Sequence, residues 1–291
     1  TIDFWLCFGG QAAAHLGDTV AGAGDVNGDG YDDVLVAAPD YDNGQVDEGQ
    51  VRLYLGSADG LSNTPDWTAE GNQGACSFGV GLAGLGDING DGYDDVAIGA
   101  PRYSNGEQNE GRVFVYYGSA AGLPANPSTT REPNVANAQY GFSVASAGDV
   151  NADGLADMIV GAYAMGPNAQ GAAYVYLGTI FGVAQSSVWA GTGGQANAYY
   201  GCSVAGVGDV NGDGYGDVLV GAFLYDHLVT DTGAAWLYYG RASGVTAAAA
   251  WDYMPSQSTA YLGQCVAPAG DANGDGYADL AIGAPSYTHA Q

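Results

Sequence analysis

Asp25, Asn27, Asp29 and Asp33 place four side-chain oxygens within nine residues, and the chain writes that string five times. The pattern D-x-N-x-D-G-x-x-D begins at Asp25, Asp87, Asp149, Asp209 and Asp271, at intervals of 62, 62, 60 and 62 residues. Positions 1, 3, 5 and 9 offer side-chain oxygens and position 7 offers a backbone carbonyl. Gly at position 6 permits the positive φ that folds such a loop back on itself. The candidate donors are Asp25, Asn27, Asp29, Tyr31 and Asp33 in the first copy and Asp87, Asn89, Asp91, Tyr93 and Asp95 in the second. The third copy has Asp149, Asn151, Asp153, Leu155 and Asp157, and the fourth has Asp209, Asn211, Asp213, Tyr215 and Asp217. Asp271, Asn273, Asp275, Tyr277 and Asp279 complete the set. Hard oxygen donors without nitrogen or sulfur select Ca2+ over transition metals, while Mg2+ prefers to keep its waters. Five Ca2+ sites are expected. An EF-hand would need Glu at position 12, where Val36, Ile98, Val160, Val220 and Ile282 stand instead. The bland alternative is a metal-free Asx-rich turn. Three clustered Asp in every copy speak against it, because unneutralised carboxylates repel.

The segments that position these loops recur in phase with them. Gly stands eight residues before each leading Asp (Gly17, Gly79, Gly141, Gly201, Gly263), and Ala stands four before it (Ala21, Ala83, Ala145, Ala205, Ala267). Trp5, Trp67, Trp189 and Trp251 lie twenty before; the third copy has Thr129 there. Within a unit the period is that of strands. Phe78–Gly86 alternates large and small residues, V-A-I-G-A-P follows the acidic loop, and Arg112–Gly118 is a β-branched and aromatic run. A Trp-bearing segment such as Asp66–Glu70 supplies a fourth strand. No stretch shows helical amphipathic spacing. One four-stranded unit cannot bury both of its faces, so units must stack. Small residues on the first strand favour strands crowded round an axis. The expected fold is all-β, a β-propeller of four-stranded antiparallel blades. It forms a single domain over 1–291 with repeats near 5–66, 67–128, 129–188, 189–250 and 251–291, the last one incomplete.

The F-G or Y-G pair, the acidic loop and the G-A-P ending (Gly99-Ala100-Pro101, Gly283-Ala284-Pro285) together resemble FG-GAP repeats. The resemblance runs from Trp5 to Pro285. The pair reads Leu16-Gly17 and Leu262-Gly263 in the outer copies, and the ending becomes Ala37-Ala38-Pro39, Gly161-Ala162-Tyr163 and Gly221-Ala222-Phe223. No departure removes a candidate donor. The resemblance implies the β-propeller head of integrin α-subunits and of many bacterial extracellular proteins. It also implies acidic loops on the face opposite the one that meets protein ligands.

Composition narrows the functions. The 291 residues carry 32 acids against five Arg and no Lys, for a formal charge of −27. No basic face exists to displace counterions from nucleic acid or to meet an anionic membrane surface. No apolar run is long enough for a transmembrane helix, so membrane insertion is not expected. His15, His227 and His289 fall at unrelated phases, and without Lys there is no Schiff-base or Walker-type chemistry. Gly141-Phe142-Ser143-Val144-Ala145 and Gly201-Cys202-Ser203-Val204-Ala205 approach a nucleophile elbow, but their phase puts both Ser on a first strand and not at a strand-turn-helix corner. No enzymatic activity is expected. Cys7, Cys76, Cys202 and Cys265 share no repeat phase, which favours free buried thiols over disulfides.

The start at Thr1 fits a processed or excised chain, and a structural Ca2+ in the millimolar range points outside the cell or to the periplasm. The leading expectation is an extracellular calcium-binding scaffold for protein interaction or adhesion. Its ligand, protein or glycan, would meet the loops that follow the second strands, where Tyr41, Tyr103, Tyr225 and Tyr287 recur. Those Tyr have an equal claim to be blade-edge covers. A sugar-binding lectin and a polymerising surface protein remain as alternatives. The fifth copy stops short of a third strand, which leaves a fragment, a missing tail or strand donation and self-association through the open blade. Residues 1–8 are the candidate outer closing strand.

Overall fold

The β-branched and aromatic runs become strands, and the Gly-, Asn- and Asp-rich stretches become the turns between them. The computed structural model describes residues 5–288. The first sheet holds β1 (Thr19–Gly24), β2 (Asp33–Ala38), β3 (Gln50–Tyr54) and β4 (Trp67–Glu70) in that order. The second holds β5 (Gly81–Gly86), β6 (Asp95–Ala100), β7 (Arg112–Tyr116) and β8 (Thr129–Arg131). The third holds β9 (Tyr140–Gly148), β10 (Asp157–Ala162), β11 (Ala172–Tyr176) and β12 (Trp189–Thr192). In the fourth come β13 (Ser203–Gly208), β14 (Asp217–Ala222) and β15 (Ala234–Tyr238). A two-residue hairpin, β16 (Gly240–Arg241) with β17 (Gly244–Val245), precedes its outer strand β18 (Trp251–Tyr253). Among the described residues the fifth sheet is the pair β19 (Cys265–Gly270) and β20 (Asp279–Gly283). Every pairing within a sheet is antiparallel, as in the blades of a β-propeller, and single parallel bridges (Gly111–Tyr140, Gly171–Tyr200, Gly233–Leu262) link successive blades.

The first strands lie side by side, β1 next to β5, β5 next to β9, β9 next to β13 and β13 next to β19. They line a central channel of about 1040 Å³. The recurrent small residues on these strands therefore answer to crowding. A side chain at Gly99 would run into the carbonyl of Gly141 in the next blade, so the G-A-P glycine of one blade and the Y-G glycine of its neighbour need each other. Hydroxyls staple the same seam: Ser143 Oγ donates to the Gly201 carbonyl at 2.8 Å, and Ser203 Oγ accepts from the Val266 amide at 3.0 Å. The two Ser of the elbow-like strings are occupied in this way.

The core is laid down between sheets. Leu35, Val51 and Leu53 of the first blade pack on Phe78, Val96, Ile98 and Phe114 of the second, and three further slabs repeat the pattern along the array. A middle sheet is thus covered on both faces, and β6, β10 and β14 are buried at every position. This is why their sequences are continuously apolar instead of alternating. Among the described residues, the only helical assignment is a five-residue turn, Met165–Ala169, whose Gly166, Pro167 and Asn168 leave helical φ/ψ. Among the described residues no helix is long and apolar enough to cross a membrane.

The sequence unit and the sheet are out of phase by one strand. The Trp67 and Trp189 segments close the blade before them and seal the joint to the next, whereas Trp251 closes its blade but stays exposed and stacks on Tyr253 of its own strand. Trp67 of β4 lies edge-on to Tyr116 of β7 at 4.9 Å, and Trp189 of β12 lies edge-on to Tyr238 of β15 at 4.7 Å. Trp5 stands against Tyr54 of β3 in the same way, at 4.7 Å. It occupies the place of an outer-strand Trp from a preceding blade. Residues 1–4 of the expected closing strand lie outside the described residues, and Trp5–Phe8 form no strand. A strand there would need the third strand of a preceding blade as its neighbour, and none is present among the described residues.

At the joint between the second and third blades the Trp phase carries Thr129, and Arg131 takes over. Trp5 and Trp67 donate their indole N–H to the carbonyls of Ser62 and Pro124. Arg131, almost fully buried, donates Nε to the corresponding carbonyl of Ala184 at 2.9 Å and Nη2 to Val183. Charged hydrogen bonds of this kind contribute about 1.5–3 kcal/mol. Arg131→Met should therefore lower unfolding stability by about that amount, whereas the same change at exposed Arg102 should leave it nearly unaltered; urea titration of both variants checks this.

Candidate metal centre

Each acidic string forms the hairpin loop between the first and second strands of its blade, so the structure brings all five donor sets to one end of the array. Each loop is built from its own backbone amides. Asp25 Oδ1 accepts from the amides of Gly28 and Asp29, and its Oδ2 accepts from Gly30 at 2.8 Å. Asn27 Oδ1 accepts from the Asp29 amide, and Asp29 Oδ1 accepts from that of Tyr31. The same bonds from the third and fifth positions recur in the other four loops. The position-7 carbonyls of Tyr31, Tyr93, Leu155, Tyr215 and Tyr277 accept no hydrogen bond from the described residues.

The ninth residue has a second duty. Asp33, Asp95, Asp157 and Asp217 open the second strands with no exposed surface. Oδ2 accepts the amide of the loop's second residue (Val26, Ile88, Val150, Val210). Oδ1 accepts the amide of the Gly that follows the third strand (Gly56, Gly118, Gly178, Gly240). One carboxylate thereby ties the loop to a strand more than twenty residues away. Asp279 keeps only the first of these bonds, to Ala272.

The electrostatics are one-sided. Burial pushes the Asp95 and Asp157 carboxyls up to about 7 and Asp217 to about 6; two backbone amides pull each back, and the first and fifth Asp of the loop push it up again. Asp33 is raised for the same reasons. No salt bridge among the described residues reaches a loop carboxylate. The described residues also contain no ready-made group of three or more His, Cys, Asp or Glu side chains spaced for a metal. In the first four loops the Asn side-chain amide donates to the fifth-position carboxylate, at 3.0 Å from Asn27 to Asp29.

Neighbouring loops are linked. The amide at position 8 donates to the carbonyl of the previous loop's leading Asp, from Asp94 to Asp25, Ala156 to Asp87, Gly216 to Asp149 and Ala278 to Asp209. Asp94 Oδ2 also accepts the Asp25 amide at 2.8 Å. The third loop is the irregular one. Its fourth residue is Ala152 at φ 57°, where the others have Gly, and the bond from this amide to the leading Asp is missing.

At the opposite end of the sheets, sequence reasoning missed an aromatic row. Phe142 meets Tyr163 at 4.4 Å, Tyr163 meets Tyr199 at 5.4 Å, Tyr199 stacks on Phe223 at 5.7 Å, and Phe223 meets Tyr261. All five are half-buried. Tyr163 and Phe223 stand where the G-A-P Pro would be, and that departure was the available signal. Tyr199 and Tyr261 hold φ of 55°, in phase with His15, Ser77 and Gln139, which share the left-handed conformation. Such conformations are costly for bulky side chains and concentrate at functional surfaces. Of the recurrent Tyr, Tyr103 packs on Phe114 under Arg112 and Tyr225 packs on Trp236, so these two do cover their own blades. Cys76 and Cys202 are buried free thiols, Cys7 is half-buried and Cys265 is exposed. His15 bonds Asp40, and His289 lies outside the described residues.

The family model of the FG-GAP repeat matches residues 16–54, 78–116, 140–176, 203–238 and 266–291. Integrin alpha-IIb of Mus musculus is 38% identical over 162 residues, 53% of this chain and 15% of that protein. Integrin alpha-8 of Gallus gallus is 37% identical over 167 residues (54% and 16%), and integrin alpha-5 of Xenopus laevis is 36% identical over 164 (53% and 15%). The matched stretch spans only about one sixth of the length of these relatives.

Two outcomes follow from this geometry. Ala152→Gly should relieve the left-handed strain and stabilise the chain by about 1 kcal/mol, read as a melting temperature higher by about 2–4 °C. The raised carboxyls set the sign of a pH effect: stability from a raised folded pKa is complete below the unfolded value of 3.8 and is lost as pH rises through about 7. In chelator, melting should therefore shift upward as pH is brought from about 8 to about 5; a downward shift in that window would show that these carboxyls are not held protonated.

Proposed function

The chain belongs to the FG-GAP repeat family, and on that premise we propose that it is an extracellular calcium-binding β-propeller. It is one domain over residues 1–291, serving as a scaffold for protein interaction or adhesion. The observation that carries the reading is the loop chemistry: five sets of hard oxygen donors, four of them closed by a buried carboxylate, with no salt bridge to any of them among the described residues. Oδ2 of each leading Asp accepts one amide and keeps a lone pair, as do the amide-bonded oxygens of the ninth residues, and each position-7 carbonyl has both of its lone pairs free of the described residues. The first, third, fifth and ninth side chains of each loop, with that carbonyl, would hold the ion. In the first four loops the ion would replace the contact between the Asn amide and the fifth-position carboxylate.

Calcium supplies charge neutralisation at the loops and no chemistry on a substrate. Extracellular modules bind it at about 10⁻⁴–10⁻³ M. At ten to a hundred times that Kd, each occupied loop contributes about 1.4–2.7 kcal/mol. The partner face is the opposite end, where the Phe142–Tyr261 row and the strained Tyr199 and Tyr261 backbones sit on a rigid frame. The integrin alpha relatives support a protein as the partner. No catalytic role is proposed.

Calcium titration followed by calorimetry and thermal melting tests the metal reading. The melting temperature should fall by many degrees in EDTA and recover with Ca2+, and Asp95→Asn should remove one site from the stoichiometry. Unchanged melting in EDTA with no calcium heat would end it. For the partner face, Tyr163→Ala with Phe223→Ala should abolish capture of a protein ligand while leaving calcium binding intact, and a glycan array on the same protein separates a sugar ligand from a protein one.

A further inference from the structure

The chain contains six Asn-Gly pairs, and the structure divides them into two kinds. Four sit in the acidic loops at Asn27-Gly28, Asn89-Gly90, Asn211-Gly212 and Asn273-Gly274; two sit in the turns after the second strands, at Asn43-Gly44 and Asn105-Gly106. The division is not one of exposure, because all six glycines are exposed. It lies in the glycine amide. Gly28, Gly90, Gly212 and Gly274 each donate their N–H to the leading Asp carboxylate, at 2.7, 2.6, 2.6 and 2.7 Å. Among the described residues Gly44 and Gly106 donate to nothing, and apart from their chain neighbours no atom comes within 4 Å of where their side chains would be.

That amide is the nucleophile of the one reaction to which Asn-Gly is prone. The Gly nitrogen attacks the Asn Cγ, the Cγ–Nδ2 bond breaks, and ammonia leaves with the Gly amide proton. Water then opens the resulting cyclic imide at either carbonyl, giving Asp or isoaspartate. An N–H held by a carboxylate must give up a charge-assisted hydrogen bond before it can react, and it would place a nascent anion beside an existing one. A free, unshielded N–H meets neither cost.

We propose that Asn43 and Asn105 are sites of spontaneous deamidation, while the four acidic-loop Asn are protected by their own leading Asp. The two sites lie in corresponding turns of the first and second blades, on the face opposite the acidic loops. Their chemistry has a structural consequence. Asn43 donates Nδ2 to Glu70 Oε2 at 2.8 Å, and its backbone amide donates to the buried Glu48 at 2.7 Å. Conversion to Asp replaces that donor with a carboxylate directly against Glu70, and isoaspartate also lengthens the backbone beside Glu48. Asn105 makes the matching bonds to Glu132 and Glu110, at 2.8 and 2.5 Å. There, Arg112 pairs with Glu132 at 2.7 and 2.5 Å and offsets the new charge. Glu70 has only the Gln50 amide, at 2.9 Å. The corner at Asn43 is thus the one that deamidation loosens most.

The experiment is peptide mapping by mass spectrometry of the folded protein, held in mildly alkaline calcium buffer, beside the same protein in urea. In urea all six Asn-Gly pairs should convert at similar rates. In the folded protein, Asn43 and Asn105 should keep converting while the four loop pairs fall behind by at least about tenfold, the factor that one charge-assisted hydrogen bond supplies. Equal conversion of all six in the folded protein, or protection of Asn43 and Asn105 along with the rest, would overturn the proposal. Asn43→Asp should melt at a lower temperature than Asn105→Asp. The reverse order, or no loss from either change, would overturn the assigned consequence.

Discussion

Each of the first four second strands opens with an aspartate that has no surface in water and no salt bridge among the described residues. The rest of the blade is arranged around that carboxylate. One oxygen holds the acidic loop shut and the other holds the turn that leaves the third strand, so three strands share a single ionisable hub. Burying a charge without a counter-charge is among the costliest acts in a protein, and two amide hydrogen bonds do not offset it. Burial accordingly lifts the Asp95 and Asp157 carboxyls to about 7. A cation held by the remaining loop oxygens would resolve the same conflict without protonation. In this light the acidic loop is less an appendage than the counterpart of a buried structural group.

The blades are also constrained along their seams. The second strands are enclosed on both faces, so each blade must fit two neighbours at once. The Gly79–Ala37 approach, the Trp67–Tyr116 contact and the bond from the Asp94 amide to the Asp25 carbonyl are three levels of the interface between the first and second blades, running from the channel to the rim and the acidic end. A change at one level has to be met at the same level. Arg131 illustrates it: with Thr129 in the Trp phase, the carbonyl of Ala184 still needs a donor, and a guanidinium two residues along supplies it. The acceptor is retained while the donor's chemistry changes.

Much of this was legible in the amino-acid order. The five-fold acidic string, the strand periods and the in-phase small residues announce the repeat, the blade and the crowded axis, because all three depend on local spacing. What stayed hidden depends on distant partners. The bond from Asp95 to the Gly118 amide joins positions 23 residues apart, and nothing in the nonapeptide distinguishes its ninth residue from a simple loop donor. The Trp segments read as the start of a unit, yet they close the blade before them, since sheet membership is decided by pairing and not by chain order. The left-handed Tyr199 and Tyr261 could not be read at all. A Tyr carries no signal for positive φ, and the aromatic row exists only because two neighbouring blades replaced the G-A-P Pro.

The array is therefore regular along its inner and second strands and irregular at its two ends. At the acidic end, the first two loops carry an extra acid at position 8 (Asp32, Asp94), the third has a strained Ala152, and the last two have neither. At the opposite end, the first two blades keep the Pro and present Asn-Gly turns closed by buried Glu48 and Glu110. The third and fourth present Tyr163 and Phe223 with their stacked neighbours. A seam position inside the array must fit two blades on both faces, whereas a position at either end has solvent on one side. Specific recognition requires asymmetry, and a repeat scaffold can hold asymmetry only at its rims. The aromatic half of the face opposite the acidic loops meets that requirement with side chains whose burial is incomplete and whose backbone cost is already met by the fold.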